Sequence, residues 1–203
     1  MPLSAVVLAG GMVRRPGLSR PRALLQLRER PLVSWTVERV SSVAPDVVVA
    51  TAHGWAGELQ RRLPERVRVV EDELVGFGPL GGLHAGARAA RNPWVAVAPS
   101  EAPFSSPALY RLLLREARGH RGAIPFVGGT GMYLHAVYSR EALIRKIERA
   151  IVRGEDEPAA ALRGMGLARV GARKIARVDR ERRSFVLLSS IAAVRAVEAG
   201  ARP

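Results

Sequence analysis

Leu8-Ala9-Gly10-Gly11-Met12-Val13-Arg14-Arg15-Pro16-Gly17-Leu18-Ser19-Arg20-Pro21-Arg22-Ala23-Leu24-Leu25 is the stretch from which the rest of the chain is read. It continues the run Ser4–Leu8, which is too short for a helix and nearly uniformly apolar, as a parallel strand covered on both faces must be. Gly10 and Gly11 lack Cβ atoms, so main-chain N–H groups there are free to close on a phosphate or a base edge. Four guanidiniums follow, Arg14, Arg15, Arg20 and Arg22, and each can grip phosphate oxygens in a bidentate fork. The stretch has no Gly-Lys-Ser/Thr ending, so it is not a P-loop, and it lacks a third glycine at dinucleotide spacing. On these residues alone two readings stand: a phosphate loop, or an ordinary basic turn.

Working outward, Asp46–Ala50, Val67–Val70, Trp94–Ala98 and Ala123–Phe126 repeat the strand-like character of Ser4–Leu8. Longer amphipathic segments separate them. Val33, Val37 and Val40 form one apolar stripe at helical spacing. Ser106-Pro107 starts a helix whose Leu109, Leu112 and Leu113 face inward. Ser139 is expected to cap another, carrying Leu143, Ile144, Ile147 and Ile151 and ending at Gly154. A strand at Ser184–Leu188 and a last helix from about Ile191 complete the pattern. Strands alternating with crossover helices predict the α/β class: a three-layer α/β/α sandwich on a mostly parallel, Rossmann-like sheet, as one domain over residues 1–203. Such sheets bind ligands at the carboxyl ends of their strands. The loops after Leu8, Val70, Ala98 and Phe126 are therefore the places to look for chemistry.

The formal net charge is +14, and of 32 basic residues only Lys146 and Lys174 are lysines. A cation excess of this kind favours anionic partners. The arginines are scattered along the chain, however, which fits solvated faces better than one binding patch. No nucleic-acid recognition motif accompanies them, and a nucleic-acid partner is not expected. Cysteine is absent, which removes disulfides, thiolate catalysis and zinc–thiolate sites. No apolar run approaches the roughly 20 residues a bilayer requires, and Met1–Leu8 has no basic region of a signal peptide, so a cytoplasmic protein without membrane contact is expected. The four histidines show no metal-ligand spacing, and Glu155-Asp156-Glu157 reads as a solvated turn.

The opening stretch, Leu-Ala-Gly-Gly followed by Arg-Arg, Gly and Pro-Arg-Ala-Leu-Leu, resembles the signature loop of the nucleotidyltransferases of sugar nucleotides and cofactors. More narrowly it resembles the molybdenum cofactor guanylyltransferase (MobA) family. Val69-Val70-Glu71-Asp72, then Gly78-Pro79-Leu80-Gly81-Gly82-Leu83, is similar to that family's acidic strand end and glycine-rich helix start. Ser100-Glu101-Ala102-Pro103-Phe104 stands where the family has Cys-Asp-Met-Pro-Phe, and Tyr133-Leu134-His135-Ala136-Val137-Tyr138 resembles its Pro-Leu-His-Ala-Val-Tyr strand. The match runs in order over about residues 3 to 143.

The resemblance implies a nucleotidyltransferase fold and transfer of GMP from GTP to the terminal phosphate of molybdopterin, with release of pyrophosphate. It implies magnesium as cofactor, held at Glu101, and protein partners in molybdenum cofactor maturation. Leu8, Ala9, Gly10 and Gly11 match the nucleotide-binding turn, Arg15 and Arg22 the catalytic cations near the triphosphate, Asp72 the acidic residue that contacts guanosine, and Glu101 the carboxylate at the nucleotide's phosphates. Four places depart from the pattern. Arg22 replaces a lysine, Glu101 an aspartate and Ala50 an asparagine, while Phe185-Val186-Leu187-Leu188-Ser189-Ser190 replaces an Asn-Thr-Pro-Glu segment. These departures leave open a divergent enzyme, guanylyl transfer to another phosphorylated acceptor, or a homologue that binds nucleotide without turnover.

Overall fold

The computed structural model describes residues 1–15, 18–74 and 76–200, the side chains of residues 14, 15 and 18 excepted. Strand β1 (Leu3–Leu8) leads into a hairpin of β2 (Met12–Arg15) and β3 (Leu18–Pro21), a 3-10 turn at Arg22–Leu24, and a second hairpin of β4 (Gln26–Leu27) and β5 (Arg30–Pro31). Then come α1 (Leu32–Ser41), β6 (Asp46–Thr51), α2 (Ala56–Gln60), β7 (Arg68–Glu71), α3 (Pro79–Ala89), β8 (Trp94–Pro99) and α4 (Pro107–Glu116). The second half holds β9 (Gly122–Val127), β10 (Thr130–Gly131), β11 (Ala136–Ser139), α5 (Arg140–Val152), α6 (Pro158–Ala161), β12 (Leu167–Gly171), α7 (Ala172–Ala176) and α8 (Ile191–Glu198).

Eight strands form one sheet in the order β10-β9-β11-β8-β1-β6-β7, with β12 also on β9. β1 pairs in parallel with β6 and β8, β6 with β7, and β12 with β9. Within the described part of this sheet only β10 and β11 run against the rest. Side chains alternate along β1. Ala5 and Val7 join Val33, Val37, Val40, Leu109 and Leu113 in one layer. Val6 and Leu8 join Leu80, Leu83, Leu143 and Ile147 in the other. The centre of the sheet is thus covered on both faces, as the uniform apolar runs required, and the three-layer expectation holds.

A third, smaller cluster lies away from these layers. Leu25, Leu27, Leu32, Leu188 and Val194 form it, with Val13, Phe104, Val186 and Ile191 packed against them. It joins the first hairpin, α1 and α8, and Glu198 accepts the Arg28 N–H at 2.7 Å to close it.

Several local expectations need correction. Ser184–Leu188 is not a strand: a 3-10 turn at Arg183–Phe185 is followed by chain outside any ladder. Its buried polar groups bond instead to the loop after β8. Ser184 Oγ accepts the Ser106 N–H, and the Leu188 N–H donates to the Glu101 carbonyl. Ser139 occupies the cap of α5, but its hydroxyl makes no capping bond; Gly154, at φ +70°, follows the helix as expected. Glu157 is more than a solvated turn residue, since its carboxylate accepts the Ala160 N–H at the start of α6. The opening stretch is more than a loop, since much of it pairs as β2 and β3.

His135 is buried just before β11, with its ring edge-on to Phe185 at 5.4 Å and Nε2 without a hydrogen-bond partner among the described residues. Burial pushes its pKa down to about 4, against the opposing effect of a hydrogen bond to the Ser184 backbone. In the unfolded chain the ring takes up its proton near pH 6.5. Stability is therefore full above that pH and is lost as pH falls toward 4, by on the order of 3 kcal/mol. Urea unfolding at pH 7.5 and pH 4.5 should show a larger loss for the parent than for His135→Gln. A second prediction concerns α3, which lies close on β1: a Cβ at Gly86 would overlap the Val6 side chain. Gly86→Ala, normally favourable in a helix, should instead cost about 1–3 kcal/mol in the same assay.

Candidate active site

Hydrogen bonding between neighbouring strands continues past their carboxyl ends and fixes the loops there. The Ala9 N–H donates to the Ala50 carbonyl at 2.7 Å, Ser100 N–H to Leu8 at 2.9 Å, and Asp72 N–H to Thr51 at 2.8 Å. Asp72, Gly10–Gly11 and Glu101 consequently stand along one edge, after β7, β1 and β8 respectively. Three strand gaps separate the first from the last, or about 14 Å at ~4.8 Å per gap.

At the centre of this edge Gly11 accepts the Arg22 N–H at 2.8 Å, which closes the base of the β2–β3 hairpin. The Arg22 guanidinium then returns over the glycine. Its Nη1 lies 3.7 Å from Glu101 Oε1, with side chains 39% and 11% exposed respectively. A Cβ at Gly11 would sit 2.9 Å from that same oxygen and 3.4 Å from Arg22 Nη1. A side chain at this position would crowd both groups, so the glycine gives the carboxylate and guanidinium room to face each other. Glu101 is also held from behind: the Ser100 hydroxyl donates to Oε2 at 2.9 Å, and Thr36 Oγ1 donates to the Ser100 carbonyl at 3.0 Å. Nothing in the residue pattern singled out Ser100 or Thr36. Nearby Arg20 has its Nε shielded from solvent without a partner among the described residues. The Arg15 backbone lies in β2, but its side chain is outside the described residues, as is that of Arg14.

Asp72 is half-buried at the start of α3. Its Oδ1 accepts the Leu74 N–H at 2.8 Å, and the carboxylate lies against Gly81, where a Cβ would overlap it. Burial raises its pKa, opposed by the Leu74 bond and by the charge of His84. His84 in turn lies 3.3 Å from Glu148 on α5. Ala50, which stands where the resemblance places an asparagine, is 1% exposed and packs with Leu8 and Leu80 beneath α3. It faces the core and not the cleft. The strand-end residue beside the glycine turn is Ala52, whose N is 3.6 Å from where a Gly10 Cβ would lie.

The edge therefore gathers Leu8, Ala9, Gly10, Gly11, Arg22 and Glu101 closely, with Asp72 farther along. Among the described residues no three His, Cys, Asp or Glu side chains cluster to hold a metal. A single carboxylate beside a glycine turn does fit a magnesium ion that arrives on a triphosphate, since magnesium commonly uses one or two carboxylates plus phosphate oxygens. Two cavities lie elsewhere: about 510 Å³ at Trp94, His120 and Arg121, and about 430 Å³ at Arg30, Val37 and Arg62. Neither contains a residue of this edge. Among the described residues no helix is long and apolar enough to cross a membrane.

Comparison with known proteins agrees with this layout. Residues 5–172 match the family described as the MobA-like NTP transferase domain. The chain is 31% identical over 195 residues to a probable molybdenum cofactor guanylyltransferase of Methanosarcina mazei, covering 93% of this chain and 86% of that one. It is 31% identical over 168 residues to the molybdenum cofactor guanylyltransferase of Pseudomonas paraeruginosa, covering 81% and 82%. The crystal structure of molybdopterin-guanine dinucleotide biosynthesis protein A from Archaeoglobus fulgidus superposes with a TM-score of 0.80 at 25% identity, over 97% of each chain. A 2-C-methyl-D-erythritol 4-phosphate cytidylyltransferase from Thermus thermophilus shares the fold, with a TM-score of 0.70 at 21% identity over the whole of both chains. The chain belongs to the MobA-like NTP transferase family and is a nucleotidyltransferase.

Proposed function

We propose that this protein transfers GMP from GTP to the terminal phosphate of molybdopterin and releases pyrophosphate, with residues 1–203 acting as one domain. The observation that carries this reading is the Arg22–Glu101 pair over Gly11, with Asp72 about 14 Å along the same edge. That span suits a nucleoside triphosphate lying across the strand ends, its base at Asp72 and its phosphates over the glycine turn. The relatives' names supply guanylyl transfer and the acceptor.

In this reading Asp72 accepts hydrogen bonds from the N–H groups on the guanine edge. Leu8, Ala9, Gly10 and Gly11 hold the nucleotide by backbone contact, and Arg15 and Arg22 grip the triphosphate. An oxygen of the acceptor phosphate attacks the α-phosphorus while the bond to the β-phosphate oxygen breaks, so pyrophosphate leaves. The acceptor is already an anion, and no strong general base is needed. The chain's work is to screen charge and keep the two phosphates in line. Glu101 would hold a magnesium ion brought by the triphosphate; bound there, it supplies neutralisation of the phosphates. Guanylyl transfer to another phosphorylated acceptor uses the same nucleotide half.

Incubation with GTP, magnesium and molybdopterin should release pyrophosphate, and silence with every divalent metal and NTP would reject the reading. Glu101→Gln keeps the volume and removes the charge; kcat should fall by roughly 10²-fold or more. Glu101→Asp should retain more of the activity. Asp72→Asn should weaken GTP binding by about tenfold, the worth of one charge-assisted hydrogen bond. The pH dependence has a definite sign. A protonated Asp72 cannot accept from both guanine N–H groups, and burial raises its pKa. GTP affinity should thus begin to fall on acidification above the ordinary carboxylate range, and the Asp72→Asn profile should lose that limb in calorimetric titrations.

A further inference from the structure

We propose that Arg183 binds the acceptor's phosphate, forming a subsite on the side of Glu101 away from the nucleotide base. This rests on the reading that Asp72 marks the base end. The nucleotide then occupies the edge from β7 to β8, and the acceptor must approach from beyond β8, where β11 and β9 lie. Residues 179–188 cross this side of Glu101.

The segment is firmly built. Asp179, 9% exposed, accepts the N–H groups of Arg183 and Ser184 at 3.0 Å each. Ser184 Oγ receives the Ser106 N–H at 2.8 Å, the Phe185 ring lies against buried His135, and Leu188 N–H reaches the Glu101 carbonyl at 2.8 Å. Arg182 adopts φ +55°, ψ +30°, a left-handed conformation uncommon for a residue with a side chain, and so turns the chain just before Arg183. These bonds attach Arg183 to the same loop that carries Glu101.

Its side chain is oriented as well. The Arg183 guanidinium carbon lies 4.5 Å over the ring of Phe104, three residues after Glu101. Stacking on an aromatic face holds the planar fork while leaving its N–H edge open. Among the described residues Arg183 pairs with no carboxylate, whereas Arg22, across Glu101, does. A phosphate dianion fits a fixed fork with no anion of its own. Leu187, 46% exposed on the same segment, adds an apolar surface beside it. The acceptor favoured by this pairing is a phosphomonoester whose body beyond the phosphate offers an apolar face.

The test compares the parent with Arg183→Gln, Arg183→Lys and Arg180→Gln, the last an exposed neighbour that removes the same charge. Inorganic phosphate is titrated calorimetrically into each protein, alone and saturated with a non-hydrolysable GTP analogue and magnesium. Arg183→Gln should bind phosphate about tenfold more weakly. Arg180→Gln should match the parent, Arg183→Lys should fall between, and the GTP-analogue affinity should stay constant throughout. With molybdopterin as acceptor, Arg183→Gln should raise the acceptor KM and leave the GTP KM unchanged. Equal phosphate binding in the parent and Arg183→Gln, or an equal loss in Arg180→Gln, would overturn the subsite. Failure of the parent to bind the GTP analogue would overturn the nucleotide reading instead, and the phosphate comparison on the free protein would still decide Arg183.

Discussion

Hydrogen bonds that run on past the ends of four adjacent parallel strands hold this molecule's working edge in place. The bonds from Ala9 to Ala50, Ser100 to Leu8 and Asp72 to Thr51 lie beyond the regular pairing or at its last step. Each removes the freedom of a loop that would otherwise be set only by side chains. Because β1, β6 and β8 beneath it are buried on both faces, this part of the edge cannot slip without moving two packed layers. The separation between Asp72 and Glu101 is thus a property of the sheet and not of the loops.

The Arg22–Glu101 pair adds an electrostatic condition. A guanidinium 3.7 Å from a largely buried carboxylate is a weakly satisfied arrangement, and Gly11 is what permits it. If a polyphosphate draws Arg22 away, Glu101 is left with less counter-charge and becomes a better cation ligand.

Much of the fold was legible because two-sided burial leaves a plain mark on sequence. The runs containing Val6, Val48, Val97 and Ile124 are apolar over most of their length, Ser4 and Asp46 standing only at the start of two of them, and each is a strand. The run at 67–70 was placed one residue early, since Val67 is buried but the ladder begins at Arg68. Where burial is one-sided or pairing brief, the mark fades. β12 carries Arg169 in its middle and was missed, and Ser184–Leu188 has strand-like residues but finds no ladder. Gly10, Gly11, Arg22 and Glu101 were recognisable as a group, and the structure places them together. The supports of Glu101 were not. Ser100, Thr36 and Leu188 act through a hydroxyl or a backbone N–H, and any residue list looks much the same with or without such bonds. At Ala50, strand register, invisible in sequence, turns the side chain to the core.

The small third cluster has a consequence for how the chain reaches its finished form. Val13 of the first hairpin packs against the same cluster as Val194 and Val197 of α8, and Arg28 is tied to Glu198, 170 positions downstream. The segment that carries the glycine–arginine motif is synthesised well before the residues that support it. Contacts of such sequence separation form slowly, because the intervening chain must be ordered first. A growing polypeptide therefore carries the complete glycine–arginine motif well before it carries α8, whose side chains complete the cluster that supports it.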